Sequence, residues 1–200
     1  MAVKETHLKR RLAYSTVSNL SYVVFGATLM SPAGLTGALL HMLFHGCMKI
    51  VLFFCAGAIL VKAEREYVQD IRGFGRVMPV TFACFCVAGL SLVGVPPLMG
   101  FMSKWQLATA AAASPHPLGT AGIAVLIVSA ILTAVYIFTV IIPSCFMPLN
   151  EKDGALAGQK LDPGPCMKIP LVLLCCAIVI LGVCSGSLVQ FLTQVAAGRL

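Results

Sequence analysis

The stretch that decides the fold is an apolar run of 29 residues, numbered 34–62, which reads GLTGALLHMLFHGCMKIVLFFCAGAILVK. At ~1.5 Å per residue, a helix of this length measures about 43 Å, which exceeds the ~30 Å of hydrocarbon in a bilayer. A tilted helix accommodates the excess length. The run therefore predicts a membrane-spanning helix.

The composition of the whole chain indicates that its solvent is a lipid bilayer. Hydrophobic residues make up 59% of the chain and charged residues 10%, with a mean hydropathy of +0.96. A soluble domain carries about 25% charged residues, so a soluble globular protein is excluded. The net charge of +7 does not indicate nucleic-acid binding either, because the basic residues form short clusters between apolar runs and no single basic surface.

Eight of the nine cysteines lie in or at the end of apolar runs, and no two form a C-x-x-C pair. We interpret them as small apolar side chains and predict neither a disulfide nor a metal site. The sequence has no nucleotide-binding loop and no cysteine set for an iron–sulfur cluster. We therefore predict no cofactor and no redox chemistry of its own.

Four further apolar stretches accompany the central run: residues 12–30, 78–113, 121–146 and 169–192. The first of them has a polar half, which we expect to hydrogen-bond to neighbouring helices. A signal peptide is the alternative for this stretch, because basic residues precede it. The polar residues concerned are Ser15, Thr16, Ser18, Asn19 and Ser21.

The stretch 78–113 is too long for one span and short for two, and Gly94, Pro96, Pro97 and Gly100 interrupt it. The prolines remove amide donors and the glycines loosen the backbone, which predicts a helix break. Unwound backbone at membrane depth persists only where it is buried in protein or lines a wet cavity. We predict one discontinuous helix that crosses the membrane once.

The lysine and arginine distribution supports a single crossing. With five spans, the N-terminus and the loops 62–77 and 147–168 share one side, which then holds eleven of the fourteen basic residues. Arg199 alone lies on the other side, whereas two crossings would divide the basic residues nine to three. The positive-inside rule thus predicts an all-α, multi-pass bundle of five spans in the cell membrane, with a cytoplasmic N-terminus and an outside C-terminus.

Three polar residues, His41, His45 and Lys49, recur at intervals of four in the central run. Each is offset by only ~40° and ~6 Å from the previous one, so they form one stripe along the helix. Lys49 lies roughly 20 Å from either end of the run, too deep for its side chain to reach the membrane surface. Charged residues at this depth usually mark an ion or proton path.

The chemistry of this stripe favours a proton relay. Histidine passes protons between its two nitrogens near neutral pH, and a buried lysine readily releases its proton. One alternative is that the histidines only hydrogen-bond between helices while Lys49 pairs with an acid elsewhere. A metal or haem site at His41 and His45 is another, although the spans contain no further ligands.

A second intramembrane lysine, Lys104, follows the helix break. Broken helices place titratable groups and exposed backbone at ion sites near the membrane centre, so we expect Lys104 to act with the stripe. An interfacial anchor beside Trp105 is the alternative.

Three segments in order resemble the antiporter-like membrane subunits of respiratory complex I, membrane-bound hydrogenases and multisubunit cation/proton antiporters. They are residues 7–20 (HLKRRLAYSTVSNL), the helix with the stripe, and residues 94–104 (GVPPLMGFMSK). The resemblance implies two inverted repeats, of which residues 1–146 are the second without its first helix. Residues 147–168 are then a polar loop, and residues 169–200 are a final transmembrane helix with a C-terminal tail.

The resemblance also implies roles for the site residues. Lys49 corresponds to a central proton carrier and Lys104 to the terminal carrier, with His41 and His45 as intermediates. The family's first repeat supplies an intramembrane glutamate and a partner lysine, and no residue here corresponds to either. We therefore expect a truncated or split chain that requires other membrane subunits to supply the first repeat.

These observations predict a proton- or cation-translocating membrane subunit, or a fragment of one. Its parent would be an NADH:quinone oxidoreductase-like, hydrogenase or cation/proton antiporter complex. The alternative is a non-transporting structural membrane module, which a dry interior with Lys49 facing lipid would favour. A membrane cytochrome is a more distant alternative.

Overall fold

The computed structural model describes residues 1–115, 117–156 and 158–198, and within these ranges the regular structure is helical apart from one isolated β-bridge between His7 and Tyr67. The chain is all-α, as predicted. The described α-helices are α1 (Leu8–Thr28), α2 (Pro32–Ala63), α3 (Pro79–Val93), α4 (Met99–Ala112), α5 (Pro117–Phe146), α6 (Pro165–Val183) and α7 (Gly186–Ala196). Short 3-10 helices cover Val68–Ile71, Phe74–Arg76 and Glu151–Leu156.

Helix α2 is the centre of the bundle and packs against α1, α3, α4, α6 and α7. Its N-terminus is capped by the Ser31 side chain, which accepts a hydrogen bond from the Gly34 amide at 3.1 Å. Within the described ranges, three helices are long and apolar enough to cross a bilayer, namely Pro32–Ala63, Gly119–Phe146 and Pro165–Val183. These helices give a multi-pass membrane protein.

Residues 94–98 separate α3 from α4. Gly94 ends α3 in the left-handed region with a φ of 99°, which a residue without a Cβ adopts at little cost. Gly100 lies in the first turn of α4, and its amide donates to Ser91 Oγ at 3.1 Å. A side chain at Gly100 would collide with the Ser91 carbonyl, so this glycine lets the two helices meet closely.

Three segments meet at one end of the bundle, here called the loop face: residues 1–7, residues 64–78, and the described residues between 147 and 164 (147–156 and 158–164). Arg65 pairs with Asp153 at 2.6 Å, and the Asp162 carboxylate accepts from backbone amides at the start of α3. At the opposite end, Met30 in the α1–α2 turn and Ala113 after α4 line the same cavity. Helices α3 and α4 together therefore lead from the loop face to the opposite end. Arg199 lies outside the described residues.

The apolar stretch 169–192, predicted as one final span, is divided into two helices. Helix α6 ends at Val183, and α7 begins at Gly186 and packs against α2. Leu192 of α7 is buried, and Thr193 Oγ1 lies 3.5 Å from Thr36 Oγ1 near the start of α2. Hydropathy alone favours one long helix here, whereas burial of α7 against α2 requires the chain to turn.

Candidate functional site

The stripe on α2 faces the interior of the bundle. The exposed fractions of His41, His45 and Lys49 are 0%, 4% and 6%. The two imidazole rings are stacked, with centroids 5.9 Å apart and planes inclined by 21°. The one-turn spacing of the sequence thus produces a contiguous column of titratable side chains inside an apolar helix bundle.

Lys49 points towards α1 and away from lipid. Its Nζ donates to the carbonyl oxygen of Leu12 at 2.8 Å and to the hydroxyl of Ser15. No ion pair involves Lys49 in the described part of the chain, so its partners are neutral oxygens. A lysine held only by neutral groups keeps its hydrogen-bond partners whether or not it carries the extra proton.

His41 connects α2 to α4 through Ser103. The hydroxyl of Ser103 donates to the Gly100 carbonyl at 3.1 Å, and its oxygen lies 3.0 Å from His41 Nδ1. The serine oxygen can therefore accept from His41 when Nδ1 carries the proton, and Nε2 is the proton acceptor in that tautomer. Tyr22 of α1 packs edge-on against this ring at 5.2 Å.

Several buried polar atoms around the stripe have no hydrogen-bond partner among the described residues. Both ring nitrogens of His45 and Nε2 of His41 belong to this group. Buried polar atoms in native proteins are nearly always paired with protein or with ordered water. These atoms are therefore candidates for hydrogen bonds with ordered water. The other such atoms here are Asn19 Oδ1, Tyr22 Oη and Tyr136 Oη.

Lys104 bends back onto the end of α3. Its Nζ donates to the carbonyl oxygens of Leu92 at 2.9 Å and Val93 at 2.8 Å. These are among the last carbonyls of α3, which the helix leaves unpaired and whose partial negative charge favours a cation. The neighbouring Trp105 is 54% exposed, so Lys104 faces inward while Trp105 faces outward.

The structure brings the two lysine-bearing parts of the predicted site together. His41 and Ser103 join α2 to α4, and the Lys104 ammonium lies 5.7 Å from the Tyr22 ring centroid. Of the break residues, Gly94 contacts the Lys104 side chain: a Cβ there would lie 3.1 Å from its Cδ. The polar stripe on α2 and the helix break therefore lie next to each other.

Sequence reasoning missed Tyr22, Ser103 and Tyr136. Ser103 lies in the segment 94–104, but its contact with His41 joins residues 62 positions apart, and no sequence pattern indicates such a contact. The tyrosines resemble ordinary apolar residues in a hydropathy pattern. Among the polar residues of α1, Ser15 and Asn19 are buried, whereas Ser18 and Ser21 are exposed.

Comparison with known proteins gives one family. The family model described as NADH:quinone oxidoreductase/Mrp antiporter, TM, matches residues 1–143. NADH-quinone oxidoreductase subunit N of Desulforudis audaxviator is 35% identical over 98% of this chain and 40% of that protein. Subunit L of Mycobacterium tuberculosis is 35% identical over 84% of this chain and 26% of that protein. The chain thus spans two fifths or less of these relatives.

Solved structures share the fold. A chain of the Mrp complex from Dietzia sp. has a TM-score of 0.85 at 24% identity, over 99% of this chain and 44% of that one. A chain of the membrane-bound sulfane sulfur reductase, an archaeal respiratory membrane complex, has 0.83 at 27% identity, over 94% and 30%. A chain of respiratory complex I from Thermus thermophilus has 0.83 at 22% identity, over 99% and 40%. All three neighbours are parts of membrane complexes.

Proposed function

From the premise that the chain belongs to the NADH:quinone oxidoreductase/Mrp antiporter family of membrane proteins, we propose that it moves protons along His41, His45, Lys49 and Lys104. The chain acts as a proton- or cation-translocating part of a complex I-like, hydrogenase or antiporter complex. It contributes the proton path, and other subunits carry out the redox chemistry.

The observation that carries this proposal is the buried column of His41, His45 and Lys49 with its unpaired nitrogens. Histidines that only join helices would use their ring nitrogens in hydrogen bonds, whereas those of His45 have no partner among the described residues. A structural module would tolerate a Lys49 that faces lipid, whereas Lys49 is held against α1. Both findings favour transport over a purely structural role.

The geometry suggests how a proton moves between the lysines. The Lys49 ammonium gives a proton through a bridging water to His45, which lies one turn away, ~6 Å along the helix axis. His45 accepts it on one nitrogen and releases a proton from the other. His41 accepts at Nε2 and gives its Nδ1 proton to Ser103 Oγ, while Ser103 releases its own hydroxyl proton to a bridging water. This water passes a proton to the neutral amine of Lys104, the last carrier, at the end of α3.

Five spans with a cytoplasmic loop face are part of the proposal. The three loop-face segments meet at one end of the bundle, and α3 with α4 leads to the other end, which supports a single crossing by the discontinuous pair. Residues 1–146 then form the second repeat without its first helix, followed by the loop 147–168 and by the final helix and tail 169–200.

Cysteine labelling tests this topology. In a background where Cys166, Cys176 and Cys184 are serine, we expect Arg72→Cys to react with a membrane-impermeant maleimide only from the cytoplasmic side. Ala113→Cys should react only from the outside, because one crossing separates these positions. Labelling of both positions from the same side would contradict the single discontinuous span.

The relay itself is tested by His45→Leu in the membrane complex that contains the chain. Leucine removes two unpaired buried nitrogens, so assembly should match the wild type, while proton flux should fall by at least about tenfold because a transfer group is lost. Flux is measured with a pH-sensitive dye in membrane vesicles.

The matched control for this experiment is Met42→Leu, because Met42 lies on the same helix and is 48% exposed. It should leave the flux unchanged. Normal flux in a fully assembled His45→Leu complex would show that His45 is only a packing residue.

A further inference from the structure

A second buried polar line leads from the loop face to Lys49. Arg11, Ser15 and Asn19 recur at intervals of four on α1, with exposed fractions of 6%, 0% and 1%. Arg11 lies in the first turn of α1, where its Nε donates to the Glu5 carbonyl at 2.8 Å. Ser15 accepts from Lys49. The line thus has one end at the N-terminal segment and the other at the relay.

Tyr136 of α5 lies beside this line. Its ring is buried, and its hydroxyl lies near the side chains of Ser15, Asn19 and Thr133. None of these side chains is placed to form a hydrogen bond of normal geometry with it. A tyrosine hydroxyl that is buried in an apolar bundle normally has a partner. Its position next to Ser15 therefore points to a function in which the hydroxyl exchanges partners.

Arg11 holds the backbone of Tyr136 in place. The Arg11 Nη1 donates to the Tyr136 carbonyl at 3.3 Å and to Thr139 Oγ1 at 2.7 Å, and the Thr139 hydroxyl donates to the same carbonyl at 2.9 Å. A planar guanidinium with several fixed donors suits such a clamp. Arg11 thereby fixes the helical turn from which the Tyr136 phenol extends towards Ser15.

We propose that Tyr136 passes protons between Lys49 and the loop face through the Ser15 hydroxyl, with Arg11 as the positioning residue. This inference rests on the proposed function. Water on the loop-face side gives a proton to Tyr136 Oη while Tyr136 gives its own hydroxyl proton to Ser15 Oγ. Ser15 gives its original hydroxyl proton to the neutral Lys49 amine, so Lys49 gains the one proton that enters and both hydroxyl groups are restored.

The experiment compares Tyr136→Phe with the wild type in the assembled membrane complex. Phenylalanine keeps the ring packing and removes only the hydroxyl, so we expect normal assembly and a flux lower by about 10- to 100-fold. The solvent deuterium isotope effect on flux should rise, because the impaired transfer limits the rate. Tyr14→Phe is the matched control on the 43% exposed Tyr14, and it should change neither quantity.

Two further variants, Ser15→Ala and Lys49→Ala, distinguish a failure of this inference from a failure of the proposed function. Ser15→Ala interrupts the same route and should give the same loss, so it decides the question if Tyr136→Phe does not assemble. Wild-type flux and isotope effect in either assembled variant, with Lys49→Ala inactive, would overturn this inference and leave the relay intact. Retained flux in Lys49→Ala would instead overturn the proposed function.

Discussion

Replacing Lys49 with alanine is expected to abolish proton flux through the membrane complex, with a loss of more than about 100-fold. Lys49 is the junction of the column on α2 and the polar line on α1, and alanine removes the group that holds the proton at this point. Assembly should be retained, because the groups left behind are a backbone carbonyl and a hydroxyl. Flux is measured with a pH-sensitive dye in membrane vesicles.

Lys49→Arg separates charge from proton transfer. Arginine preserves a cation that donates to Leu12 and Ser15, but it stays protonated at any accessible pH. If Lys49 carries protons, this variant fails as completely as alanine. An arginine variant with normal transport would mean that a fixed positive charge suffices, and the relay would have to be abandoned. Lys62→Arg, at the exposed end of α2, serves as the matched control and should transport normally.

Lys104→Gln should stop transport nearly as completely as the Lys49 variants. The glutamine amide can donate to the Leu92 and Val93 carbonyls, but it cannot accept and release a proton at these oxygens. The local structure is therefore retained while the terminal carrier is lost. The measurements are flux in vesicles and the yield of assembled complex.

Lys104→Glu tests the same site by reversing the sign of the side-chain charge. A glutamate carboxylate would face two carbonyl oxygens with no donor of its own, so this variant should lose flux and also weaken the junction of α3 and α4. The half-buried Gln106 on the same helix provides the control as Gln106→Glu. Full transport by Lys104→Gln would contradict the role of Lys104 as a carrier.

The site could be predicted only as far as one helix extends. The positions of His41, His45 and Lys49 follow from the 3.6-residue period, which is a local property of the chain. Their hydrogen-bond partners could not be predicted. One interpretation of the sequence pairs Lys49 with an acid elsewhere, whereas in the structure Lys49 donates to Leu12 and Ser15. Contacts between helices depend on how two surfaces pack, and hydropathy contains no information about that choice.

The sequence by itself determined an all-α membrane chain with an interrupted helix and a polar stripe, because apolar length, proline and helical period act within a few turns of backbone. The tertiary structure alone decided which neutral oxygens hold the two lysines, that Ser103 contacts His41, and that Arg11 donates to the Tyr136 carbonyl. It also turned the stretch 169–192 into two helices. In each case the contact joins distant segments, and its energy exists only once the helices have packed.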